Sequence, residues 1–144
     1  MKGPTVLVVD DAPDHLGVVL ESLHSAGLRV LAAIDGTHAT ELLAAQPIDL
    51  VLLDASKPER DGFATLVRIR RRSEWAEIPV LLMLRGEDAE QKIRAFESGA
   101  ADYIGLPVCP PELLKRVRTF LDLRAARRQL HQPGGVGSEI ASRG

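Results

Sequence analysis

Five short apolar runs, each followed by a stretch with helical spacing, constrain this chain more than anything else in it. Thr5–Val9, Leu28–Ile34, Ile48–Leu53, Ile78–Leu84 and Asp102–Gly105 read as strands. The segments between them read as helices: Pro13 to about Ala26, Thr37–Gln46, Phe63–Arg72, Asp88–Ser98, and a last one that opens at Pro110-Pro111 and reaches towards Leu130. The punctuation agrees. Pro13 suits a first helical turn, where its missing N–H has no partner to lose. Gly27 and Gly99 suit helix ends, and Pro47 stops the second helix. Asp35-Gly36 reads as a turn. Ile48–Leu53 is nearly all apolar, which fits a central strand covered on both faces.

Repeated strand–helix alternation implies a parallel sheet with right-handed crossovers and helices on both faces. Five strands suit the flavodoxin-like doubly wound α/β order 2-1-3-4-5. In such sheets ligands sit at the carboxyl ends of the strands, near the switch in strand order. That rule brings Asp10, Asp11 and Asp54 together, at the ends of the first and third strands.

The 144 residues favour one domain. We expect it over residues 1–123, followed by a helical extension and a disordered tail over 124–144, Gly- and Ser-rich from Gln132 onwards. A net charge of −2 gives no bulk sign of a nucleic-acid or membrane partner. Cys109 is the sole cysteine, which excludes an internal disulfide and suits a cytoplasmic protein. The apolar run before Asp10 is too short for a signal peptide or a membrane span. His15, His24, His38 and His131 are scattered, so no zinc site is expected.

Three converging carboxylates repel one another and resist ionisation, with no structural gain in return. A divalent cation removes the repulsion. Mg²⁺ takes hard oxygen ligands, one or two of them carboxylates, and accepts phosphate oxygens as well. An aspartate can also act as a nucleophile towards phosphorus, giving an aspartyl phosphate. Helix capping alone would explain Asp10 and Asp11 as a pair, but not Asp54 beside them.

These residues resemble the receiver domains of two-component response regulators. Val6-Leu7-Val8-Val9-Asp10-Asp11 is similar to the family's opening strand and acidic pair, and Leu50-Val51-Leu52-Leu53-Asp54 to its phospho-acceptor strand. Pro58 and Asp61-Gly62-Phe63 match the loop that follows, and Gly99-Ala100-Ala101-Asp102-Tyr103 with Pro107 the approach to the last helix. The matches are separated, in order, and span residues 4–123. The resemblance implies that Asp54 accepts a phosphoryl group from a histidine kinase or phosphotransfer protein. It further implies that Asp10, Asp11, Asp54 and the main-chain carbonyl of Ser56 hold Mg²⁺, and that an output domain or effector protein reads the result. The chain is then a signalling module and not an enzyme.

Two positions depart from the family pattern. Leu84 stands where the family has a switch Thr or Ser, and Leu106 where it has a Lys before the proline. Neither leucine can donate to a phosphoryl oxygen. The expected consequences are a weakened response to phosphorylation, a Tyr103 whose role as switch aromatic has lost its trigger, and two leucines that pack on each other beside the pocket. The competing function is a degenerate receiver that serves as a phosphorylation-independent interaction module. An aspartate-based phosphatase is disfavoured because Asp10-Asp11 lacks the Asp-x-Asp spacing of those enzymes. A flavin site is disfavoured because the loop after the first strand is acidic.

Three further expectations concern the surface. Arg68, Arg70, Arg71 and Arg72 form a basic cluster that a helix C-terminus accounts for. Trp75 packs locally in a loop. The face of the fourth helix, fifth strand and fifth helix carries Arg94, Lys115, Arg116 and Arg118 with Glu90, Glu97 and Asp102, a mixed patch suited to a twofold homodimer.

Overall fold

The computed structural model describes residues 3–10, 13–57, 62–86 and 89–130, and the side chains of residues 13–15 are outside that description. Asp11, Pro58, Asp61, His15, His131 and the tail from Gln132 lie outside the described residues or side chains.

The elements run β1 (Thr5–Val9), α1 (Pro13–Ser25), β2 (Arg29–Ala33), α2 (Gly36–Ala45), β3 (Leu50–Asp54), α3 (Gly62–Arg70), a 3₁₀ turn (Ser73–Trp75), β4 (Val80–Arg85), α4 (Ala89–Glu97), β5 (Asp102–Leu106) and α5 (Pro110–Leu130). The strands form one parallel sheet in the order β2-β1-β3-β4-β5. The flavodoxin-like order expected from the alternation is the order found. β1, β3 and the first five residues of β4 are buried throughout. The edge strand β2 buries only Ala33.

Because successive side chains of a strand face opposite ways, the core divides in two. Leu7, Val9, Val51, Leu53, Leu82 and Leu84 pack against α2, α3 and α4. Val6, Val8, Leu50, Leu52, Leu81 and Met83 pack against Val19 and Leu23 of α1 and Leu113, Val117 and Leu121 of α5.

Several local expectations change. Asp35 is the N-cap of α2 and no mere turn residue: its carboxylate accepts the His38 N–H at 2.8 Å, and Gly36 is the first helical residue. Trp75 is 5 % exposed and belongs to the α2–α3–α4 core, so it does more than pack in a loop. Arg70 does more than complement the C-terminus of α3. Its guanidinium donates to the carbonyls of Gly99 (3.0 Å), Trp75 (3.1 Å), Ala76 (3.3 Å) and Ile78. It thereby ties the end of α3 to the approach to β4 and to the turn after α4. Gly99 takes φ 103° in that turn, a backbone region that suits glycine.

No helix among the described residues is long and apolar enough to cross a membrane. α5 outruns the sheet. Even so, Arg124 stays against the body, with Nε 3.4 Å from Asp49 Oδ1 and Nη1 3.3 Å from the Glu77 carbonyl. Arg128 reaches the same Asp49 oxygen at 3.5 Å.

Candidate functional site

Asp10 and Asp54 stand side by side at the carboxyl edge of the sheet. Val9 and Leu53 are register partners, so the next residues along, Asp10 and Asp54, are neighbours across β1 and β3, about 4.8 Å apart at the strand spacing. Both are buried, at 3 % and 8 % exposure. Strand alternation sends both side chains to the α1–α5 face, the side that buries Val8 and Leu52. The Asp10 N–H donates to the Ala33 carbonyl at 3.0 Å, and the Ala55 N–H to the Met83 carbonyl at 3.0 Å, so the ladder holds the backbone through both positions.

Ser56 sets the Asp54 carboxylate. Its N–H (2.9 Å) and its hydroxyl (2.6 Å) both donate to Oδ1. Oδ2 takes no part in either bond. The loop that follows must return close over this strand end. A Cβ on Gly62 would sit 2.5 Å from the Asp54 carbonyl oxygen and 2.8 Å from Ala55 Cα. Only glycine allows that approach, which is the physical content of the Asp61-Gly62-Phe63 match.

The donor set fits a hard cation. Two buried carboxylates share one edge and one face, all their donor atoms are oxygens, and the Ser56 carbonyl follows Asp54 by two residues. Asp11 is outside the described residues, and among those described no cluster of three or more metal-binding side chains forms.

Leu84 and Leu106 do not pack on each other. Leu84, 2 % exposed, belongs to the α2–α3–α4 core, whereas Leu106 is half-buried against the α1–α5 core. Their ladder partners explain this: Leu84 pairs with Gly105, and Leu106 pairs with Arg85. Arg85 becomes a candidate site residue only once register and face are known.

Tyr103 is half-buried on the Leu84 side. Phe96 meets its ring edge-on at 6.1 Å, while Lys92 and Arg116 lie over it at 5.1 and 6.0 Å. On the α4–β5–α5 face, Arg116 Nη1 pairs with Asp102 within the chain at 2.8 Å, and Arg94 stacks 4.0 Å over Phe63. Those charges are already engaged internally, and Ile93 and Phe96 are the large apolar side chains exposed beside them.

Comparison with known proteins agrees with the fold. Residues 6–118 match the family described as Response regulator receiver domain. The DNA-binding dual master transcriptional regulator RpaA of Synechocystis is 38% identical over 118 residues, covering 82% of this chain and 49% of that protein. The transcriptional regulatory protein KdpE of Mycobacterium tuberculosis is 33% identical over 128 residues, covering 89% and 55%. The chain thus spans about half the length of these curated relatives. Among solved structures, a Francisella response regulator receiver domain aligns with TM-score 0.75 at 28% identity, covering 83% of this chain and 98% of that one. The Vibrio cholerae chemotaxis protein CheY4 aligns with TM-score 0.76 at 27% identity, covering 82% and 98%. With its sheet order, its paired carboxylates at the carboxyl edge and a family match over most of its length, this chain belongs to the response regulator receiver domains of two-component signalling.

Proposed function

We propose that this receiver accepts a phosphoryl group on Asp54 from a phosphohistidine of a histidine kinase or phosphotransfer protein. One observation carries the proposal: Asp54 is a buried carboxylate with one oxygen fixed by Ser56 and the other uncommitted to those bonds, beside Asp10 on the same face. Oδ2 attacks phosphorus. The O–P bond forms as the P–N bond to the imidazole breaks, and the electron pair returns to the ring nitrogen, which takes up a proton. Ser56 contributes by holding the carboxylate in one rotamer, so attack proceeds from one oxygen along one direction. Asp10, Asp11, Asp54 and the main-chain carbonyl of Ser56 would hold Mg²⁺. The bound ion supplies neutralisation of charge between the carboxylates and the phosphoryl oxygens.

Residues 1–123 are the receiver and 124–144 its extension. We assign the chain a signalling role in the cytoplasm, with no catalysis beyond its own phosphorylation. Its partners are the phosphodonor protein, an output domain or effector, and a second copy of itself through the α4–β5–α5 face, where Ile93 and Phe96 are exposed. Neither membrane nor nucleic acid is a partner of the domain itself.

A second reading has its own support. Leu84 fills its site with an apolar side chain at 2 % exposure, which suits a receiver that works by binding alone, without phosphorylation. Intact mass after incubation with acetyl phosphate and Mg²⁺ separates the two. The native protein gains the mass of one phosphoryl group, and Asp54→Asn gains none. No gain in the native protein would favour the interaction module.

A further inference from the structure

We infer that Arg85 supplies the positive charge that reads the phosphoryl group on Asp54, from β4, in place of the lysine missing from β5. The inference rests on Asp54 being the acceptor.

Register and face carry it together. On β4, Leu82 and Leu84 enter the α2–α3–α4 core while Leu81 and Met83 enter the α1–α5 core. Alternation therefore turns Arg85 to the α1–α5 face, the face of Asp10, Asp54 and Leu106. Arg85 is the ladder partner of Leu106, and Met83 is the ladder partner of Asp54. The guanidinium thus springs from a backbone position directly beside the one the family gives to lysine, and one strand nearer the acceptor. Asp54 and Arg85 are diagonal neighbours, about 8 Å apart at Cα from the strand rise and spacing. Long side chains span that distance.

The arginine is also available. Arg85 is exposed, and among the described residues it makes no hydrogen bond or ion pair, unlike Arg70, Arg72, Arg116 and Arg124, whose partners are fixed. The half-buried Leu106 beside it offers an apolar bed for its methylenes, so the head group can lean over the edge while the stem stays covered. A guanidinium presents a planar fork of donors that matches phosphoryl oxygens. At this place the leucine that looks like a loss becomes a support. Lys57, three residues after Asp54, is the rival cation.

The test measures the affinity of the intact chain for beryllofluoride with Mg²⁺, from amide shifts and from the Arg85 Nε resonance. Native protein should bind in an Asp54-dependent way, with the Nε signal shifting on saturation. Arg85→Ala should weaken binding about ten-fold or more, the scale of a hydrogen bond to a charged group. Arg85→Ala with Leu106→Lys should recover most of it, and Lys57→Ala should leave it within about two-fold. Unchanged affinity in Arg85→Ala, an unmoved Nε resonance, or a large loss in Lys57→Ala with none in Arg85→Ala would each overturn the role of Arg85 while leaving Asp54 as acceptor. Native binding that is absent, or that survives Asp54→Asn, overturns both assignments.

Discussion

Leu84 and Leu106 lie on opposite faces of the sheet, one in each half of the core. Their strands are adjacent, yet Leu84 pairs with Gly105 and Leu106 with Arg85. Substitutions at these two positions should therefore act independently on stability. Leu84→Thr buries a hydroxyl and loses packing, and should cost about 2–4 kcal/mol. Leu106→Lys should cost under about 1 kcal/mol, because a half-buried lysine can lay its stem on the surface. Urea unfolding of both single variants and the double should give losses that sum to within about 0.5 kcal/mol. Non-additivity that appears only when a phosphate mimic is added then belongs to the phosphate site.

Gly62 is expected to tolerate no side chain. Gly62→Ala would drive a methyl into the Asp54–Ala55 backbone, at a cost of about 1–3 kcal/mol. The effect should also appear locally, as shifted amides at Ala55 and Ser56 and weakened binding of the mimic. A variant with native shifts there would contradict the close approach.

Arg70 should prove one of the most costly surface-proximal positions. Burial pushes its guanidinium below the usual arginine range, and its donors serve carbonyls of the β4 approach and the turn after α4. Arg70→Ala should lose about 2–4 kcal/mol, because the Gly99, Trp75, Ala76 and Ile78 carbonyls all lose the guanidinium that spans them. Arg70→Lys should restore little, since a compact ammonium cannot span the same acceptors. Full rescue by lysine in thermal unfolding would show that charge alone matters.

Mg²⁺ should bind at the carboxyl edge. Titration to millimolar metal should move the amides of Asp10, Asp54 and Ser56, and Asp11→Asn should weaken the response markedly. A flat titration at these residues would rule the site out.

Arg124 and Arg128 both reach Asp49, but unequally. Arg124 is 16 % exposed and Arg128 is 66 % exposed at the side chain. Arg124→Ala should cost about 1–2 kcal/mol and speed hydrogen exchange in the last turns of α5, whereas Arg128→Ala should stay within about 0.5 kcal/mol. Equal effects would mean that both act as surface charges.

The sequence was most legible where one principle dominated. β3 declares itself because Leu50–Leu53 is apolar on both faces, and the carboxyl-edge rule then singles out Asp10 and Asp54. The expected end of β5 at Gly105 falls one residue short of the observed end at Leu106, because Gly105 looks like an end until its pairing with Leu84 is seen. The sequence explains Arg70 only as charge at a helix C-terminus, because its most distant acceptor, Gly99, is 29 residues away. Arg85 and the separation of the two leucines depend on how β4 and β5 are registered. Composition and periodicity carry no information about that.

β3 connects the two ends of the molecule. Its last residue is Asp54, and the residue just before its start, Asp49, accepts from the Thr5 N–H at 2.9 Å and pairs with Arg124 of α5. α5 begins beyond the carboxyl end of β5 and passes the opposite edge of the sheet, a rod of about 30 Å over its 21 residues. It is pinned near its far end by Asp49, at the foot of the strand that ends in Asp54. Its heading is therefore surveyed from two points, like a beam clamped at both supports. The direction in which α5 runs to Leu130 is thereby tied to the same strand that ends in Asp54.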